Sequence, residues 1–211
     1  MLEKLACKSR RNDEDPNIEL AEELCETKDT TGIAEIVGGL KSTDKAVAND
    51  CIKVLYEIGE RKPELIACYA TDFISLLRSR NNRLAWGCMT ALAKIAEFAS
   101  EPIFEKLPVI IAAYEDGSVI TVDNSISVFA GLCKAGDKYS KKVLPVIINH
   151  LAKCRPKEVP QHAERASVCF SGDNTTAFIE VLEKRLPHLA MPGQTRVNKL
   201  LKKLYQLHGG K

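Results

Sequence analysis

The chain repeats itself every 37 residues, and no other feature of the sequence limits its fold so tightly. Ile58 recurs as Ile95, Leu132 and Cys169, each 37 positions after the last. Leu55 leads in the same way to Leu92, Phe129 and Ala166, Ile52 to Met89, Ile126 and Ala163, and Ala48 to Ala85, Val122 and Val159. Cys51 and Cys88 share a row that continues with Ser125 and His162. Positions 48, 51, 52, 55 and 58 are three and four apart, the spacing of one helical stripe. A second stripe keeps the same phase: Ile33, Ile36, Val37 and Leu40 map onto Ala70, Phe73, Ile74 and Leu77. These recur as Leu107, Ile110, Ile111 and Tyr114, then as Leu144, Ile147, Ile148 and Leu151. A slip of one residue aligns Leu182, Leu186 and Leu189. A single helix pair cannot bury its own apolar stripe, so a chain built this way must stack its pairs on one another.

Each repeat therefore reads as a helix A, a short turn and a helix B, and strand signals are nearly absent. The spacing predicts A-helices at 31–41, 64–79, 101–115, 139–153 and 174–190. The B-helices follow at 44–60, 82–98, 119–135, 157–170 and 194–207. Helix-start chemistry fills the turns: Ser42-Thr43-Asp44, Asn81-Asn82, Asp116-Gly117-Ser118 and Asp173-Asn174-Thr175. Pro108 and Pro145 stand inside helical patterns, where each should kink or start its helix. Asp15-Pro16 opens a leading cap helix, with Pro at its first helical position. The organisation expected is one domain over 1–211: a cap region at 1–29, repeats at 30–190 and a capping helix at 191–211.

Two stretches carry a resemblance to a known family. LLRSRNNRLAWGCMTALAKIAE (76–97) ends an A-helix in paired leucines, turns through Asn, and opens a B-helix with an Ala-Leu pair; LKSTDKAVANDCIKVLYEIGE (40–60) is similar. Both resemble HEAT repeats, and the likeness extends over about residues 30–190. The later units depart from it: AYEDGSVITVDNSISVFAGL (113–132) lacks the usual basic residue after the turn, and Pro160 interrupts the fourth B-helix. The resemblance implies an all-α, right-handed α-α superhelix, a solenoid of about five helix pairs whose B-helices line a concave side. On function a HEAT likeness is broad, because the fold hosts many activities.

With 45% apolar and 27% charged residues and a net charge of +2, the composition is that of an ordinary globular protein and gives no global pull toward nucleic acid or membrane. Charge is unevenly placed: residues 1–30 carry nine acids against five bases, whereas 184–211 carry seven bases and no acid. The longest apolar stretch, LPVIIAAY at 107–114, falls far short of the ~20 residues that span a bilayer. The start, MLEKLACKSRRNDEDP, lacks the apolar region of a secretory signal, so a cytoplasmic protein is expected. The eight cysteines show no C-x-x-C, and no Cys/His pair is read at ligand spacing, so reduced packing cysteines are expected and no metal.

The face opposite the core stripe holds the candidate binding residues. On the second B-helix it comprises Trp86, Gly87, Thr90, Lys94 and Glu97. On the first it comprises Asn49, Asp50, Lys53, Glu57 and Glu60, and on the third Asp123, Asn124, Ser127, Gly131 and Lys134. These are solvent-face compositions, and Trp86, the sole tryptophan, is their odd member. It reads as a partner-contacting anchor, as a ring laid across a neighbouring helix against Asn49 or Asp123, or as a packed residue on a helix whose phase is off by one position. Candidate partner-binding residues are thus Trp86, Thr90, Asn49, Lys53, Asp123 and Ser127. Arg78, Arg80 and Arg83 form a candidate basic cluster in the turn before the second B-helix, readable as an acidic-ligand site or a solvated turn. Lys138, Lys141 and Lys142 open the fourth A-helix against its dipole. The basic, amphipathic TRVNKLLKKLYQLHGGK reads as a cap over the final repeat, with a membrane-surface or nucleic-acid helix as the other reading.

Catalysis finds little support. His150, His162, His188 and His208 are scattered, no triad order lies in a recognisable motif, and no glycine-rich phosphate loop is present. The alkylpurine DNA glycosylases, built on HEAT-like helices, set aromatics and an Asp in a basic groove. Here one Trp and Asp123 would answer to that, but further aromatics are not evident and the first B-helix face is acidic. The function expected is a non-catalytic module gripping a protein or peptide on its concave face, without cofactor. The alternative is a nucleic-acid-binding solenoid using the basic turns and tail.

Overall fold

The computed structural model describes residues 1–9, 13–171 and 174–208, and all regular structure among them is helical. The α-helices are α1 Asp15–Thr27, α2 Thr30–Gly39, α3 Lys45–Arg61, α4 Ala70–Ser75, α5 Asn82–Ile95 and α6 Ser100–Glu105, then α7 Leu107–Glu115, α8 Val119–Ala135, α9 Asp137–Lys153, α10 Val159–Ala166, α11 Thr175–Arg185 and α12 Met191–His208. The expected helix-start residue Asp173, the side chain of Leu207 and the Gly209-Gly210 tail lie outside what is described.

Contacts divide the chain into two compact units, Met1–Gly131 and Leu132–Lys211. In the first, α3 is central and packs against α1, α2 and α5, while α4 packs on α5 and α6. The repeat rows form its interior: Ile52, Met89 and Ile126, with Leu55, Leu92 and Phe129, are buried, as are Cys51, Cys88 and Ser125. From the second stripe Ile36, Phe73 and Ile110 are fully buried. Each such side chain contributes about 1.5–3 kcal/mol by leaving water. The row through Ala48 is looser, with Ala85 and Val122 only half-buried.

In the second unit the rows continue as buried Leu132, His162, Ala163, Ala166 and Cys169. Val143, Ile147 and Leu151 of α9 are buried, and α11 packs on α9 and α12. Phe170 and Phe178 stack with centroids 4.0 Å apart. The apolar side of α12, Val197, Leu200, Leu201 and Leu204, is buried, and α12 packs on α10 and α11.

Local chemistry explains where helices start and break. Asp44 accepts from the Ala46 N–H at 2.9 Å and Asp29 from Gly32 N–H at 2.9 Å, each satisfying an orphan donor of the first turn. Pro16 sits in the first turn of α1, one position after the helix starts at Asp15 rather than at its first position. The expected helix at 64–79 is instead two 3-10 turns, Pro63–Leu65 and Ala67–Tyr69, followed by the six-residue α4. Its sequence, CYATDFIS, is poor in strong helix formers, and the Ser75 hydroxyl donates to the Asp72 carbonyl, competing with the helix ladder. The expected helix at 101–115 splits into α6 and α7 because Pro108, without an N–H, starts a new helix. Pro145 is held inside α9. Pro160 does not interrupt the fourth B-helix; it lies in the first turn of α10, where a missing N–H costs nothing.

Candidate interaction face

The face opposite the buried rows of the first unit runs across α3, α5 and α8. Trp86, on α5, is half-buried, and its ring lies 6.2 Å from that of Tyr56 on α3, tilted by 39°. Lys53 Nζ stands 5.0 Å from the centroid of the same Tyr56 ring. A tilted aromatic pair contributes about 0.5–1.5 kcal/mol beyond its buried area, and a sheltered cation over a ring about as much. Tyr56 lies off the repeat row that passes through Trp86.

Polar rungs tie the helices of this face together. Asn81 Nδ2 donates to Asn49 Oδ1 at 2.8 Å, joining the start of α5 to α3. Thr90 Oγ1 donates to the Trp86 carbonyl at 2.9 Å and accepts from Asn124 Nδ2 of α8 at 3.0 Å. Lys94 pairs with Glu60. On α8, Ser127 Oγ donates to the carbonyl of Asp123 at 3.5 Å. Trp86 is thus set among side chains whose polar groups already have partners, within one helix or across two.

Charge is concentrated beside the aromatic pair. Lys53 pairs with Glu57 at 2.8 Å and with Glu14 at 3.4 Å, and Glu14 also binds Arg83. Glu57 accepts from Arg61 at 2.6 Å, and Arg61 reaches Glu22 at 2.9 Å. Burial pulls the Lys53 ammonium down, but the Glu57 hydrogen bond and the surrounding anions together hold it above its ordinary value. Burial pushes the Glu57 carboxyl up, and the bonds from Lys53 and Arg61 outweigh it, leaving the group below the usual carboxylate range. The Tyr56 phenol is raised by burial against the pull of Lys53. The network is accordingly a fixed cation, fixed anions and a neutral phenol at neutral pH.

Three residues expected on the open face are covered. Lys53 and Asp50 are each 9% exposed, and Gly87 is buried. The cause for the first two is the N-terminal region, which lies on α3: the Cys7 N–H donates to Asp50 Oδ2 at 2.7 Å, and Glu14 reaches Lys53. Gly87 is buried because α3 and α5 approach closely there, and a Cβ at this position would stand 2.8 Å from Ile52.

The basic cluster is only loosely a cluster. Arg83 is committed to Glu14, whereas Arg78 and Arg80 are exposed. Arg78 borders a polar cleft of about 290 Å³ with Asp116 and Ser118, and a mainly apolar one of about 310 Å³ with Ile74, Val109 and Lys106. In the second unit, two of the histidines read as scattered come together with a cysteine: potential ligand atoms of His150, Cys154 and His162 all lie within 4.8 Å of one another. The sequence did carry a signal for this, since His150 and Cys154 are four apart and His162 occupies a core row.

No helix among the described residues is long and apolar enough to cross a membrane. No family model matches the chain, and no curated protein matches it. Among solved structures, one described as an engineered protein, a target of the Northeast Structural Genomics Consortium, is similar in fold. Its TM-score is 0.71, and the alignment covers 98% of this chain and 97% of that one at 20% sequence identity. At that identity the likeness concerns the path of the helices, and says nothing of what either chain binds.

Proposed function

We propose that the chain is a non-catalytic interaction module, a HEAT-like solenoid of stacked helix pairs acting in the cytoplasm, that holds a protein or peptide partner against the face of α3, α5 and α8 with Trp86 as its anchor. The recurrence of buried residues every 37 positions supports the stacked-pair part of this reading. The observation that carries the binding part is the setting of Trp86. A large, half-buried aromatic packs against Tyr56 inside a rim of side chains, Thr90 and Asn124 among them, that are already paired. A preorganised aromatic surrounded by satisfied polar groups is the arrangement of a binding hot spot, because little side-chain entropy remains to be lost on association.

The test is affinity capture from lysate by the full chain and two variants, Trp86→Ala and the double change Arg78→Ala, Arg80→Ala, with bound molecules identified by mass spectrometry. A protein held at high salt by the wild type and by the arginine variant, and lost by Trp86→Ala with a penalty of about 2 kcal/mol or more, is the expected result. Trp86→Ala should leave helicity intact and cost less stability than the 3–5 kcal/mol of a core aromatic truncation. Capture of nucleic acid that fades steeply with salt, or a partner indifferent to Trp86→Ala, would overturn the proposal.

A further inference from the structure

We propose that His150, Cys154 and His162 form a binding site for a zinc-like divalent transition-metal ion, with a fourth position open to water. His150 lies in the last turn of α9, and Cys154 caps that helix four residues on, its N–H bonded to the His150 carbonyl at 2.7 Å. A spacing of four puts both side chains on one side of the helix end. His162 comes from the next helix, α10, and its Nδ1 stands 2.8 Å from Nε2 of His150. Both imidazoles are buried, His162 completely, while Cys154 is half-buried.

Two nitrogens and one sulfur are the donors that select zinc or a neighbouring d-block ion over calcium or magnesium, which require oxygen. Zinc bonds of about 2.0–2.3 Å set tetrahedral ligand atoms about 3.3–3.8 Å apart, which lies between the 2.8 Å separation of the two histidine nitrogens and the 4.8 Å within which all three ligand atoms stand from one another. Binding needs the two rings to part slightly and the thiol to swing in, and a half-buried side chain at a helix end has room for that.

The backbone that carries the ligands is fixed from two sides. Arg185 of α11 donates to the carbonyls of Ala152, at 2.5 Å, and of Cys154. Arg155 Nε donates to Glu158 at 2.9 Å, closing the turn between α9 and α10. The ligands are therefore held together before any ion arrives. Without an ion, the His150–His162 contact is a hydrogen bond between one N–H and one bare nitrogen. On metal binding that proton moves to the other nitrogen of its ring, and the Cys154 thiol releases its proton to solvent as the metal–sulfur bond forms. Because the thiol must lose its proton to bind, the site takes its ion more readily as pH rises.

The experiment titrates Co²⁺ alone into reduced, chelator-stripped full-length protein. One equivalent should produce visible ligand-field bands of a tetrahedral site and a near-ultraviolet sulfur-to-cobalt band, all bleached by one equivalent of Zn²⁺. Cys154→Ser should abolish the sulfur band and His162→Gln should weaken binding about tenfold or more, whereas Cys68→Ser, an exposed control, should change neither. As a measurement that needs no variant, Zn²⁺ should protect Cys154 of the wild type from alkylation, mapped by peptide mass. Absence of the bands in the folded wild type, a sulfur band that survives Cys154→Ser, or alkylation of Cys154 unaffected by Zn²⁺ would overturn the proposal.

Discussion

Cys7 lies at the surface, yet its thiol is pushed up to about 11, first by partial burial and then by the Asp50 carboxylate that accepts its hydrogen bond. Because the thiolate is the nucleophile, a raised value means that little of Cys7 is reactive near neutrality, and that its alkylation rate climbs with pH until about pH 11. Cys68, equally exposed, should be modified first by iodoacetamide at pH 7.5, with Cys7 following slowly. Cys51, fully buried and pushed up to about 12, should react only on unfolding. Asp50→Asn should speed Cys7 by removing the negative charge beside it. Peptide mapping after timed alkylation checks the order, and Cys7 reacting as fast as Cys68 would refute it. The same residue shows a limit of reading side-chain character from one helix. Asp50 follows a solvent-face pattern on α3, and only the tertiary path of the residues before α1 covers it. Tyr56 escaped notice as the neighbour of Trp86 for a related reason, since it lies outside the row that the repeat assigns to that tryptophan.

Among the elements, the first and third B-helices and the first and fourth A-helices were legible to within two residues, whereas the second and third A-helices were not. Helices α3, α5 and α8 have long apolar stripes, and Asp44, Asn81 and Ser118 precede them as capping residues, so pattern and start signal agree. The A-helices carry prolines and β-branched or short polar residues that break the ladder locally while the apolar positions still turn inward, which is why Phe73 and Ile110 are buried in segments of quite different local form. Periodicity reports the direction of side chains, and continuity of the helix is a separate matter. What the pattern could not show is how closely two stripes approach. At Gly87 a Cβ would stand 2.8 and 2.9 Å from Ile52 carbons, too close without movement of one helix. Gly87→Ala should therefore destabilise the protein by about 1–3 kcal/mol, although alanine is the better helix former. The same change should cost less in an Ile52→Ala background, because the two γ carbons that the new Cβ would meet are then gone. Urea unfolding of the single and double variants measures both, and a neutral or stabilising Gly87→Ala would show that α3 and α5 are not in contact there.

Over the whole chain, the uneven charge read from the sequence is partly cancelled at its acidic end. Glu14, Glu22 and Glu23 are paired with Lys53 and Arg83, with Arg61, and with Lys4, whereas Lys199, Lys202 and Lys203 of α12 remain exposed. A count of charges along the chain cannot anticipate this, since pairing depends on which helices meet. The repeat, by contrast, makes a statement about stability along the whole sequence that can be read directly. Leu55, Leu92 and Phe129 are fully buried, each the eleventh residue of its helix, in α3, α5 and α8, helices of 17, 14 and 17 residues. The fourth recurrence, Ala166, is buried at the end of the eight-residue α10, which passes at once into a 3-10 turn. Amide exchange is slowest where backbone hydrogen bonds are long-lived and buried contacts dense. Hydrogen–deuterium exchange should accordingly show protection maxima over 52–58, 89–95 and 126–132, a weaker one over 163–169, and fast exchange at 62–69 and 105–108, where 3-10 turns and the α6–α7 break interrupt the ladder. Protection without the 37-residue recurrence, or a maximum over 62–69, would mean that the sequence repeat does not set the energetics of the fold.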